Sequence, residues 1–116
     1  TMKKAKVIMY ARFGVNVEQD EIDYIKAKMD DFLEMIEAEL VGQKWEILSK
    51  NQSSKAVHEI IKQCGKNGWA ILTYDLKTLH QHHSGAMSLI AEGDDVGVPV
   101  YFIEGGAVMQ TLFSRI

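Results

Sequence analysis

Short apolar runs alternate with segments of helical periodicity along most of this chain. Two of the runs, VIMYA and WAILTY, contain no charged residue, which is typical of strands that are covered on both faces. Strands are predicted at residues 6–11, 44–50, 69–74 and 98–104. Because helical segments separate these strands, right-handed crossovers are expected, and the sequence predicts a three-layer α/β/α fold with a short, mostly parallel sheet.

The segments between the strands carry apolar residues three and four positions apart, as amphipathic helices do. The longest predicted helix runs from residue 18 to 40, with Gly42 as its stop signal. A second helix is predicted at 53–65, with a serine cap and a terminal glycine, and a third at 77–94. Residues 106–116 fit either an antiparallel edge strand or the first turns of a helix, and periodicity does not separate the two.

Composition and charge limit the classes of function. The 116 residues, 47% of them hydrophobic and 25% charged, predict one domain that spans residues 1–116. A net charge of −3 has the wrong sign for non-specific attraction to nucleic acid or to an anionic membrane. Cys64, the single cysteine, fits a reducing compartment, and the apolar run near the N-terminus is too short for a signal peptide or a membrane span. We therefore expect a cytoplasmic protein.

In an open α/β sheet, ligands bind beyond the carboxyl ends of the strands, and Arg12 follows the first predicted strand. Its loop lacks the glycine spacing of nucleotide-binding phosphate loops. Two roles for Arg12 remain open. The guanidinium can grip a phosphate oxygen beside a helix N-terminus, or it can pair with a carboxylate such as Asp75 or Glu104.

Three histidines in the motif HQHH follow the third predicted strand. On a helix, His80 and His83 share a face, and Asp75 is an oxygen ligand that would complete a site for a divalent metal. Nothing resembles H-E-x-x-H, so we predict no metal and no cofactor. When protonated, His80 joins Arg12 and Lys55 as a candidate for binding an anion.

Several motifs resemble, in their order along the chain, the catalytic domain of the serine recombinases, which include resolvases and invertases. The triplet YAR, followed by Glu18 and Gln19 at the start of the long helix, resembles the family's opening Y-A-R-x-S-T-x-x-Q. GQKWEILSK resembles the second strand, and WAILTYDLKTLHQ with MSLIAEGDDVGVPVYFIEGG resembles the third strand through the fourth. The resemblance covers residues 3–106 and implies a resolvase-like sheet in the order 2-1-3-4.

The family uses a serine hydroxyl to attack a DNA phosphodiester, and several arginines stabilise the charged transition state. The resemblance places the first arginine on Arg12, but it places the nucleophilic serine on Gly14. Two further arginine positions fall on Thr78 and Gln81, and Lys55 is the only stand-in for the arginine of the second loop. Because loss of one transition-state donor costs about 100-fold to 1000-fold in rate, this pattern implies that strand exchange is absent.

The resemblance thus implies a catalytically inactive binding, assembly or regulatory module linked to DNA recombination or mobile elements. A homodimer through residues 108–113, an intact recombinase and DNA are the expected partners, and no membrane is expected. Two alternatives stay open: an active or fragmentary DNA recombinase, and a metal- or anion-binding α/β domain. The second alternative would use Arg12, Asp75, His80 and His83.

Overall fold

A four-stranded parallel sheet forms the centre of the computed structural model, which describes residues 4–104. Its strands are β1 (Lys6–Gly14), β2 (Glu39–Leu48), β3 (Ala70–Thr73) and β4 (Val100–Phe102). All neighbouring strands run parallel, in the order β2-β1-β3-β4. The predicted fold class and strand order are therefore confirmed. The edge strand considered for residues 106–116 lies outside the described residues.

Helices cover both faces of this sheet. They are α1 (Gln19–Met35), α2 (Ala56–Asn67), α3 (Leu76–Leu79) and α4 (His83–Asp95). Alternate residues of β1 divide the core in two: Val7 and Met9 pack towards α1, whereas Ile8 and Tyr10 pack towards α2 and α4. Burial on both faces explains why the strand sequence shows no polar alternation. None of the helices within residues 4–104 is long and apolar enough to span a membrane.

The first helix ends earlier than its periodicity predicts. It stops at Met35, because Glu37 adopts a left-handed backbone with φ of 55°. The N–H of Ala38 then donates to the carbonyl of Leu33, which closes the helix in the manner of a Schellman motif. The prediction of a helix to residue 40 was wrong because apolar residues continue at helical spacing after the backbone has already turned.

The second strand is correspondingly longer than predicted. It begins at Glu39, opposite Lys6 of β1, and it contains Gly42, which does not stop a helix. The register shifts between Val7 and Ile8 of β1, because Val41 of β2 is an extra residue without a partner on β1. This strand forms one edge of the sheet, and much of its length is solvent-exposed.

The predicted helix at 77–94 is divided into α3 and α4. Asp75 caps α3: its Oδ1 accepts the N–H of Thr78 at 2.9 Å, and Thr78 Oγ1 accepts the N–H of Asp75 at 2.9 Å. His80 is extended, with φ of −154° and ψ of 145°, and it ends this short helix. The break places His80 and Gln81 in the lining of one cavity with Arg12.

Helix α2 starts at Ala56, three residues after the predicted start, and ends at Asn67, two residues after the predicted end. The N-cap residue is Lys55 and not a serine, but Ser54, one position earlier, accepts the N–H of Val57 with its Oγ at 3.1 Å and so satisfies one donor of the first turn. The helix continues through Gly65 to Asn67, and Gly68 forms the left-handed C-cap with φ of 71°.

Candidate functional site

Arg12 lies inside β1 and not in the following loop as predicted, because β1 pairs with β2 as far as Gly14. Its side chain is only 8% exposed, and Nη1 donates to the carbonyl oxygen of Lys77 at 3.3 Å. No carboxylate within residues 4–104 comes within 4.0 Å of the guanidinium, so the expected pairing with Asp75 or Glu104 is not formed. A buried guanidinium with one carbonyl partner keeps further N–H groups for a ligand.

Two cavities flank Arg12. The smaller has a volume of about 30 Å³, and its polar lining is Arg12, Gln52, Ser53, Ser54, His58, His80 and Gln81. A space of this size holds a water molecule and is too small for a phosphodiester. The larger is a groove of about 260 Å³ that includes Arg12, Gly14, Val17, Glu21, Asp75, Lys77 and Gln81. The groove therefore mixes two cations with two carboxylates.

His80 is held as a neutral ring at the rim of the smaller cavity. Its Nδ1 accepts the backbone N–H of His82 at 3.0 Å, which places the ring proton on Nε2. Burial, followed by the nearby His82 and Arg12, lowers the pKa of His80. Anion binding was predicted for a protonated His80, whereas this environment favours an uncharged donor at neutral pH.

A hydrogen-bonded group that the sequence analysis missed lies on the same face of the sheet. The hydroxyl of Tyr10 donates to Glu46 Oε1 at 2.8 Å, and Ser54 Oγ donates to the same oxygen. These bonds join β1, β2 and the start of α2. Burial raises the pKa of Tyr10, so its hydroxyl stays protonated as a donor. The carboxylate of Glu46 is thus satisfied by two hydroxyl groups.

Gly14, at the predicted nucleophile position, is the last residue of β1. Its backbone is outside the left-handed region, and a Cβ built there would meet only Val17 Cγ2, at 4.0 Å. Neither the backbone nor the space therefore requires glycine, and a serine side chain fits. The chain lacks this hydroxyl for reasons other than packing.

The other predicted positions fall into different environments. Thr78 is 4% exposed, and its Oγ1 also contacts Thr73 Oγ1 at 3.1 Å, so its side chain belongs to the cap of α3. Gln81 is half-buried and lines both cavities. Lys55 is exposed and lines neither. The structure thus brings Arg12, His80 and Gln81 together and leaves Lys55 outside.

The weak metal candidates do not converge. Within residues 4–104, no group of three His, Cys, Asp or Glu side chains is arranged to hold a metal ion. The carboxylate of Asp75 caps α3, Nδ1 of His80 accepts a backbone N–H, and His83 is exposed at the start of α4.

The comparisons with known proteins identify the fold. Neither a protein-family model nor a curated protein sequence matches the chain. The structure aligns over 95% of this chain with 79% of the C-terminal catalytic domain of ISC1926 TnpA, an IS607-like serine recombinase (TM-score 0.72, 15% identity). It aligns over 97% with 85% of a resolvase family site-specific recombinase from Streptococcus pneumoniae (TM-score 0.72, 24% identity).

A third alignment joins 95% of this chain to 89% of the N-terminal catalytic domain of TP901-1 integrase, with a TM-score of 0.68 and 16% identity. Each of these three alignments includes nearly the whole of this chain. The chain has the fold of a serine recombinase catalytic domain.

Proposed function

We propose that this chain is a degenerate serine recombinase domain that carries out no strand exchange and acts as a binding, assembly or regulatory module in DNA recombination. The observation that carries the proposal is Gly14 at the end of β1, two residues after Arg12. Without a hydroxyl at this position, no phosphoserine link to DNA forms there. Arg12 remains, but the covalent step has lost its nucleophile.

The electrostatics of the groove beside Gly14 support the same proposal. Its lining contains Arg12 and Lys77 but also Glu21 and Asp75. Phosphoryl chemistry needs an excess of cationic donors around the developing charge. The predicted arginine positions offer none, because Thr78 is engaged in a helix cap and Gln81 is neutral.

A covalent-adduct assay tests the inactivity. The full chain is incubated with a pool of DNA duplexes that share fixed ends and a randomised centre, and protein-linked DNA is detected on a denaturing gel. We expect no adduct with the natural sequence, and an adduct would overturn the proposal. Gly14→Ser restores the hydroxyl, and Gly14→Ser with Gln81→Arg adds a cation at the shared wall of both cavities. Comparing these two variants separates loss of the nucleophile from loss of the transition-state donors.

The assembly role predicts an effect on an active enzyme. Added to a recombination reaction that an intact recombinase from the same cell carries out, the chain is expected to change the product yield at stoichiometric amounts. An unchanged yield across a concentration series would exclude this role. Gln63→Ala, an exposed substitution on α2 outside both cavities, is the control variant, and it should act on the yield as the natural chain does.

A second candidate function is anion binding at Arg12, and one observation favours it. The guanidinium is buried, has no carboxylate partner within residues 4–104 and lines two cavities. Titration with inorganic phosphate, followed by amide NMR, should shift signals of residues 12, 14 and 81, which line the larger groove, if this function is correct. Arg12→Gln should abolish those shifts, whereas Lys55→Gln should leave them unchanged, because Lys55 lines neither cavity.

A further inference from the structure

Within residues 4–104, the outer edge of β2 is open along its whole length. The strand is ten residues long, contains no proline, and has no strand beside it on its outer side in this part of the chain. An edge of this kind presents a row of backbone N–H and C=O groups that can pair with another strand. Leu40 is 37% exposed and Ile47 is 61% exposed, so the edge also presents apolar surface.

The sequence in the middle of β2 is complementary to itself when two copies run antiparallel. In the register that places Trp45 opposite Trp45 of the second copy, Lys44 lies opposite Glu46 of that copy, and Gln43 lies opposite Ile47. Sliding one strand along the other by two residues would instead place Lys44 opposite Lys44 in one direction, or Glu46 opposite Glu46 in the other. Like charges directly opposite each other destabilise a strand pair, so charge favours the register centred on Trp45.

The environment of Trp45 fits such a centre. Its ring is half-buried against the core on the α1 side, and Lys26 Nζ lies 5.0 Å from the ring centroid. The indole nitrogen donates to Gln43 at 3.3 Å, so the ring is positioned along the strand. A two-fold axis at this residue would place two indole rings side by side and bring the exposed Ile47 of each copy over the partner's edge.

We propose that β2 is a homodimerisation strand, and that two copies of this chain pair antiparallel through it to form one continuous sheet with Trp45 on the two-fold axis. A lysine on an edge strand normally disfavours pairing with another strand. Here Lys44 lies opposite Glu46 of the second copy, so its charge favours the register centred on Trp45. The inference does not depend on the proposed loss of strand exchange, because neither Gly14 nor Arg12 lies on this edge.

Sedimentation equilibrium of the full chain over a range of concentrations tests the pairing. We expect a reversible dimer of the 13.1 kDa chain. Lys44→Glu places a new carboxylate opposite Glu46 of the other copy, twice in each dimer, and should raise the dissociation constant at least about tenfold. Lys62→Glu makes the same change of charge at an exposed residue of α2, outside the strand, and it should leave the dissociation constant unchanged.

A disulfide test fixes the register. In the proposed dimer, Gln43→Cys with Ile47→Cys joins residue 43 of one copy to residue 47 of the other, whereas within one chain these residues are about 13 Å apart along the strand. The buried Cys64 does not compete. Oxidation should yield a covalent dimer. A chain that stays monomeric would overturn the proposal. A dimer that persists in Lys44→Glu but is lost in Phe113→Lys would also overturn it, and would support the dimer predicted through residues 108–113 instead.

Discussion

Arg12 lies opposite Glu46 in the register of β1 and β2, and yet the two side chains form no ion pair. The carboxylate of Glu46 instead accepts hydrogen bonds from the hydroxyl groups of Tyr10 and Ser54. An acidic neighbour is therefore held away from the guanidinium by two neutral donors. This arrangement keeps Arg12 available for an anion, although the nucleophile position beside it is a glycine.

Removal of the Tyr10 hydroxyl should destabilise the fold without unfolding it. Tyr10→Phe removes one hydrogen bond to a charged acceptor in a buried position, and we expect the free energy of unfolding to fall by about 1.5 to 3 kcal/mol. Urea denaturation measures the change. Tyr101→Phe is the matched control, because the Tyr101 hydroxyl makes no hydrogen bond to the described part of the chain. Equal losses for both variants would mean that the bond to Glu46 contributes nothing specific.

The two lost arginine positions should differ in their tolerance of arginine. Thr78 is buried within the cap of α3, so Thr78→Arg removes the hydroxyl that accepts the N–H of Asp75 and forces a charge into the core. We expect a loss of at least about 3 kcal/mol in the free energy of unfolding. Gln81 is half-buried at the wall of both cavities, and Gln81→Arg should change the same quantity by less than about 1 kcal/mol. Thermal unfolding of the two variants side by side checks the order, and the reverse order would contradict it.

The doubly covered strands β1 and β3 were predictable from their uninterrupted apolar sequences, and the strand order from the resemblance to serine recombinases. The ends of elements were not, since they depend on tertiary pairing: Gly14 belongs to β1 only because Leu48 of β2 lies opposite it. The periodicity through Leu40 reflects an exposed residue on an edge strand and not a helix face.

The candidate site was predictable in part for the same reason. Arg12 and His80 were both anion candidates, and the fold places both around one small cavity. Glu46 was missed because its hydrogen-bond partners are distant in sequence: Tyr10 is 36 positions away and Ser54 is 8 positions away. No local sequence pattern marks such bonds. Lys55 was the stand-in for the arginine that the resemblance places in the second loop, and its position at the start of α2 leaves it exposed.

His80 packs on Gly85, and this contact offers a test of the ring's position. A Cβ at residue 85 would overlap the imidazole, so Gly85→Ala should turn the ring out towards solvent and break its bond with the N–H of His82. Because burial is the main cause of the lowered pKa, exposure should raise the pKa of His80 towards its ordinary value. NMR titration of the imidazole protons measures it, with His83 in the same samples as an internal control. An unchanged titration of His80 would show that the ring does not lie over Gly85.

The lowered pKa of His80 also predicts how stability depends on pH. The folded state binds a proton at this ring less readily than the unfolded state does, so the unfolded chain gains protons first as the pH falls through the ordinary histidine range. The contribution of His80 to stability is therefore complete above that range, near pH 6.5, and is lost as the solution is acidified below it. His80→Gln should flatten the fall in unfolding free energy between about pH 7 and pH 5, whereas His83→Gln, at an exposed position, should not. Urea denaturation at a series of pH values measures the slopes, and parallel slopes for the natural chain and His80→Gln would show that His80 is not held neutral in the folded state.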